Sequence, residues 1–145
     1  MDRVDVSKDG QSLRVVDYKS GSSTGVSKNS VKAGTKLQLP FYLWALAKLY
    51  PQKQARQALY DYITRKGGYK QVPFTPESPQ QIQTILSQVL ATVNDGVEKG
   101  LFPAVGQACE HCDYHRLCGT GMENRGQRKQ EDEKVRDYYK LEELQ

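Results

Sequence analysis

The chain has 145 residues, enough for one ordinary domain with a core of its own. Its net charge of +4, from 21 basic and 17 acidic residues, permits contact with nucleic acid without arguing for it. No apolar run reaches the roughly 18 residues of a membrane-spanning helix. The stretch "MDRVDVSKDG" lacks the basic and apolar regions of a secretory signal. A soluble, cytoplasmic protein with no membrane partner is therefore expected.

In chain order, "RVDVSKDGQSLRVVDYK" reads as two strands around an Asp9-Gly10 hairpin turn. On the second strand Leu13, Val15 and Asp17 share one face, and Arg14, Val16 and Tyr18 share the other. "SGSSTGVSKNSVKAGT" is Gly/Ser-rich and reads as a flexible loop. It runs into "TKLQ", which matches a capping box with Thr35 as N-cap. A helix is predicted from there to about Leu49, with Leu39, Leu43, Leu46 and Ala47 on its apolar face. Pro40 is tolerated in its first turn, and Pro51 marks its end.

"ARQALYDYITR" alternates as a strand, and Gly67-Gly68 turns it into "YKQVPF", a second hairpin. "TPESPQQIQTILSQVLATVNDGVEKG" is an amphipathic helix with Ile82, Ile85, Leu86, Val89, Leu90 and Val93 at helical spacing. "LFPAVGQACEHCDYHRLCGTG" is a loop carrying all three cysteines. From Met122 the chain is mostly charged, with a short helical candidate in "EDEKVRDYYKLEEL" that reads as a solvated helix or frayed end. There is no internal repeat. The order is β-β-α-β-β-α followed by a cysteine loop, with a domain over 1–121 and a tail over 122–145.

Three constellations can carry chemistry. Asp17 and Lys19, two apart on a strand, point the same way. A charge on an otherwise apolar strand is costly to bury without a partner or a metal. A carboxylate there can hold a hard cation such as Mg²⁺, and Asp2 on the preceding strand can supply a second one. The lysine can orient water or neutralise charge on a phosphate. The same string also fits a surface ion pair before a Ser-Gly turn. Gln38 and Tyr42, four apart in "QLPFY", share a helical face and can touch a phosphate backbone. They also fit a capping glutamine and a core tyrosine. Cys109, Cys112 and Cys118 in "CEHCDYHRLC" have metal-ligand spacing, one thiolate short of four. The fourth ligand is a histidine (His111 or His115) in a Cys3His zinc site, or lies outside this chain, unless the three are unconnected buried cysteines.

Together, "DRVDV", "LRVVDYKSG", "QLPFY" and "CEHCDYHRLC" resemble the RecB-type branch of the PD-(D/E)XK nuclease superfamily. Within it they look most like the C-terminal nuclease domain of AddB-like subunits of bacterial helicase–nuclease complexes. The resemblance covers about residues 2–118. It implies an α/β, restriction-endonuclease-like core, a mixed central sheet flanked by helices. It assigns Asp2 and Asp17 as ligands of Mg²⁺ or Mn²⁺, Lys19 as the catalytic lysine, and Gln38 and Tyr42 to DNA engagement and support of the active site. Asp5 is implied to be structural. Cys109, Cys112 and Cys118 match three ligands of a [4Fe-4S] cluster whose fourth cysteine lies outside this chain. The family's glycine before Asp2, its upstream helix and that fourth cysteine are all missing, which implies an N-terminally truncated domain.

The implied function is metal-dependent exonuclease action on single- or double-stranded DNA ends, in double-strand break repair and recombination. A helicase or nuclease subunit is the implied partner, and no small-molecule substrate is expected. Three rival readings stay open: a catalytically inactive DNA-binding scaffold of the same fold, a zinc-stabilised interaction domain, and a nuclease working outside recombination, for instance in CRISPR spacer acquisition.

Overall fold

The computed structural model describes residues 1–31, 36–103, 112–119 and 121–144. Strands β1 (Arg3–Val6) and β2 (Ser12–Lys19) form the first hairpin, in register Arg3↔Val16 to Val6↔Leu13. Its turn passes through Gly10 at φ +72°, a left-handed conformation that a side chain would strain, and Asp9 Oδ1 accepts the Gln11 N–H at 3.0 Å.

Helix α1 (Gln38–Leu49) crosses from β2 to β3 (Gln54–Tyr62). β3 lies parallel to β2, and a parallel pair requires such a crossover. β4 (Gln71–Phe74) returns antiparallel to β3, giving a mixed sheet of order β1-β2-β3-β4. Helix α2 (Pro79–Lys99) follows. Ser78 caps its first turn by accepting the Gln81 N–H at 3.3 Å, and Gly100 closes it in the left-handed region.

The core gathers on one face of the sheet. Leu13 and Val15 of β2, Ala58 of β3 and Phe74 of β4 pack with Leu39, Leu43 and Leu46 of α1 and Ile82, Ile85 and Leu86 of α2. Val16 and its neighbour Leu59 occupy the opposite face and are buried as well. The α/β class and the mixed sheet flanked by helices are thus as the sequence implied.

Three details depart from the sequence reading. The helix begins at Gln38 with Leu37 in the N-cap position and no side-chain cap, while Thr35 lies outside the described residues. On α2, Leu90 and Val93 are about half exposed, and the buried stripe runs instead through Val89, Thr92 and Gly96. At Gly96 the cover comes from Tyr138, from far down the chain, which lies over it and donates to the Leu101 carbonyl at 3.0 Å. Past the cysteines the chain forms α3 (His115–Cys118), α4 (Met122–Lys129) and α5 (Arg136–Lys140). Val135 and Leu141 flank α5 and are buried, and Leu144 packs against the main core cluster. Among the described residues, no helix is long and apolar enough to cross a membrane.

Candidate active site

Asp17 lies near the C-terminal end of β2 on the face of Leu13 and Val15, and is only 4% exposed. A carboxylate at such a place is costly unless it is hydrogen-bonded or paired. Both conditions are met from α1 and β2. Oδ1 accepts the Gln38 side-chain amide at 3.0 Å and the Tyr42 hydroxyl at 3.2 Å. The Met1 amino group stands 3.8 Å from the same oxygen.

Lys19 emerges two residues later on the same face, one-third exposed, and its ammonium forms an ion pair with Asp17 Oδ2. The same ammonium donates to Gln38 Oε1 at 2.9 Å and sits 4.9 Å from the centroid of the Tyr60 ring. Gln38 is therefore a bridge. Its oxygen receives the lysine, while its NH2 serves Asp17 and, at 2.7 Å, the Tyr42 hydroxyl. A capping glutamine would reach back to its own helix terminus, whereas this one is spent entirely on the site. Tyr42 packs its ring against the core, as one of its two readings had it, and sets its hydroxyl on Asp17.

Asp17 Oδ2 is buried yet receives no hydrogen bond. Its one partner among the described contacts is the ion pair with the Lys19 ammonium. The oxygen thus keeps lone pairs for a cation. Asp2 enters from the start of β1: its N–H donates to the Val16 carbonyl at 3.1 Å, and its Oδ2 accepts the Tyr18 N–H at 2.8 Å. Its carboxylate is thereby tied to the backbone of the residue next to Asp17. Mg²⁺ keeps several of its waters and is usually held by one or two carboxylates, so Asp17, with Asp2 as a second, is a chemically suitable donor set. Among the described residues no group of three or more His, Cys, Asp or Glu side chains is assembled.

Asp5 turns to the edge of the sheet. Arg14, its cross-strand neighbour, donates to it at 2.6 Å, and Arg3 is also bound. The Arg14 hydrogen bond holds the Asp5 carboxyl below the usual carboxylate range against the opposing effect of burial, and Arg3 adds to the lowering.

Tyr60 is the site residue that sequence reasoning missed. It stands opposite Asp17 in the β2/β3 register, half-buried, with its ring edge-on to Tyr62. Burial, followed by the nearby Asp17 charge, pushes its hydroxyl up to about 12. No spacing in the sequence marks it, since a parallel register across a helical crossover is not written in local periodicity.

The thiol cluster is only partly in view. Cys112 is exposed, Cys118 ends α3 half-buried, and both are free thiols. Cys109 and His111 lie outside the described residues. The two described cysteines by themselves make no four-ligand metal site. A cavity of about 980 Å³ lies elsewhere, between α1 and α2, lined by Trp44, Arg56, Pro76 and Leu90 among others. It contains none of Asp17, Lys19, Gln38 or Tyr42.

One family comparison matches the chain. The family model of the PD-(D/E)XK nuclease superfamily matches residues 1–119, and the chain belongs to that superfamily. Its members are generally nucleases, hydrolases that typically use divalent metal ions, and membership implies a DNA substrate. Neither a curated protein nor a solved structure gives a match to the chain.

Proposed function

We propose that this chain is the metal-dependent deoxyribonuclease domain of a helicase–nuclease complex of the AddB-like kind, acting on DNA ends in double-strand break repair and recombination. The observation that carries the reading is the buried Asp17 Oδ2, short of a hydrogen bond, beside Lys19 at the end of an apolar strand. Asp17 and Asp2 would hold Mg²⁺ or Mn²⁺, which supplies the Lewis acidity that activates water and polarises a phosphoryl oxygen. Lys19 contributes a proton donor and a positive charge at the attacked phosphate. Gln38 fixes the ammonium and the carboxylate relative to each other, and Tyr42 braces the carboxylate from the helix side. Such positioning by outer partners commonly matters as much as the ligands themselves.

Cys109, Cys112 and Cys118 would supply three thiolates to a [4Fe-4S] cluster, with the fourth from outside this chain. The cluster would staple the end of the domain rather than enter the reaction. Elemental analysis of protein purified without oxygen distinguishes it from a Cys3His zinc site: iron with labile sulfide supports the cluster, and stoichiometric zinc without iron replaces it.

The nuclease reading is tested by following Mg²⁺- or Mn²⁺-dependent release of nucleotides from linear DNA by the native chain and by Lys19→Ala. Release that vanishes in the variant supports it. Equal rates in both, or DNA binding by the native chain with no metal-dependent cleavage, would leave the inactive scaffold as the better account.

A further inference from the structure

The turn between β3 and β4, residues 64–70, is fastened to the point where β2 leaves the site. Ile63 N–H donates to the Lys19 carbonyl at 3.1 Å, and Thr64 Oγ1 donates to the Ser20 carbonyl at 3.0 Å. Gly67 is buried against this exit: a Cβ on it would stand 2.7 Å from Tyr62 Cβ and 3.0 Å from the Gly21 carbonyl oxygen. Within the turn, the Gly67 N–H reaches Thr64 Oγ1 at 3.2 Å, and Tyr69 N–H donates to the Thr64 carbonyl at 3.2 Å. On its far side Tyr62 N–H donates to the Lys70 carbonyl at 2.9 Å. The turn is therefore hydrogen-bonded within itself and fastened to the backbone of Lys19 and Ser20.

Its outward side chains are of two kinds. Arg65, Lys66 and Lys70 are exposed, and no acid among the described residues pairs with them. Tyr69 is 70% exposed and its backbone is held at φ +51°, a conformation that costs a non-glycine residue free energy. A strained, solvent-facing aromatic between cations, on a fastened turn, is poorly explained by packing. It has the makeup of a platform for single-stranded nucleic acid, in which cations follow the phosphates and a ring stacks on an unpaired base.

We infer that the turn 64–70 grips single-stranded DNA beside the site. Tyr69 stacks on an unpaired base, and Arg65 and Lys66 hold the flanking phosphates, so that the adjoining phosphate is presented to Lys19. This rests on the nuclease reading for what the grip delivers, but the grip itself is tested without catalysis.

The test measures fluorescence anisotropy of a labelled single strand of about 20 nucleotides, and of a duplex of the same sequence, in EDTA so that nothing is cleaved. Tyr69→Ala is expected to weaken the single strand about tenfold and the duplex less than about twofold, while Tyr69→Phe binds as the native chain does. The Arg65→Ala/Lys66→Ala double variant should weaken both DNAs and lower the salt slope for the single strand by about 1.4. Unchanged single-strand affinity in Tyr69→Ala, an equal loss on the duplex, or an unaltered salt slope in the double variant would overturn the inference. All these positions are exposed, and circular dichroism checks that each variant folds. Should the binding differences hold while the native chain shows no metal-dependent cleavage, the nuclease reading fails and the grip stands.

Discussion

Lys19 and Gln38 lie on different elements, one at the end of β2 and one at the start of α1, yet the lysine ammonium donates to the glutamine oxygen at 2.9 Å. Because the glutamine's NH2 also reaches Asp17, one amide sets the spacing of the acid and the base-side cation. Replacing it with alanine leaves Asp17 held by Tyr42 but no longer tied to Lys19 through α1. Gln38→Ala is expected to lower metal-dependent nucleotide release by about 10- to 100-fold and to raise the Mg²⁺ concentration needed for half-maximal rate. Rate measurements across a Mg²⁺ titration check both.

Metal binding at Asp17 has a signature that needs no catalysis. An ion present at ten times its Kd stabilises the folded chain by about 1.4 kcal/mol. For a chain of this length that is a rise in Tm of roughly 4 to 6 °C. The native chain should show this rise on adding Mg²⁺, and Asp17→Asn should not. Thermal melts followed by circular dichroism, with and without the ion, decide the matter.

Tyr60 carries a pH dependence whose sign follows from its environment. Burial, then the Asp17 charge, raise its hydroxyl from the ordinary value of 10.0 to about 12. A raised acid binds its proton more tightly in the folded state, so its contribution to stability is complete below pH 10. It is lost as pH climbs from about 10 to 12. Tyr60→Phe should flatten that part of the stability profile, read by urea unfolding at several alkaline pH values. It should also remove a tyrosinate that forms near pH 12 from an ultraviolet titration.

Gly96 and Tyr138 are coupled across the helical tail. A Cβ on Gly96 would run into the Tyr138 hydroxyl that donates to Leu101. Gly96→Ala in the native chain should therefore destabilise, by about 1 kcal/mol net, as the ring is expelled. In a Tyr138→Ala background the ring is gone, but the Leu101 carbonyl oxygen still stands 3.0 Å from the new Cβ, so the same change should cost clearly less than in the native chain, the better helix former offsetting the remaining contact. A double-mutant cycle in urea reads this coupling directly.

Much of the fold was legible because it is local. The Asp9-Gly10 turn, the apolar alternation of β2, the helix ending before Pro51 and the amphipathic run of α2 are each specified within one segment by local chemistry and periodicity. Asp17 and Lys19 could be paired from spacing alone, because strand geometry puts residues two apart on one face. The helix start was less legible, since Gln38 looked like half of a capping box. Its amide is drawn instead to a buried carboxylate 21 residues earlier in the chain.

What the sequence by itself determined is the order of the elements, the apolar faces that build the core, and the residue types available for the site. Only the tertiary structure decided that α1 lays Gln38 and Tyr42 onto Asp17, that the β2/β3 register sets Tyr60 opposite it, and that the turn 64–70 is pinned beside Lys19. It also turned the charged tail inward at Val135, Tyr138 and Leu141. The physical reason is common to all of these. Each depends on a contact between residues far apart in the chain, where satisfying a buried polar group or covering apolar surface outweighs local preference, and no periodicity within one segment carries that information.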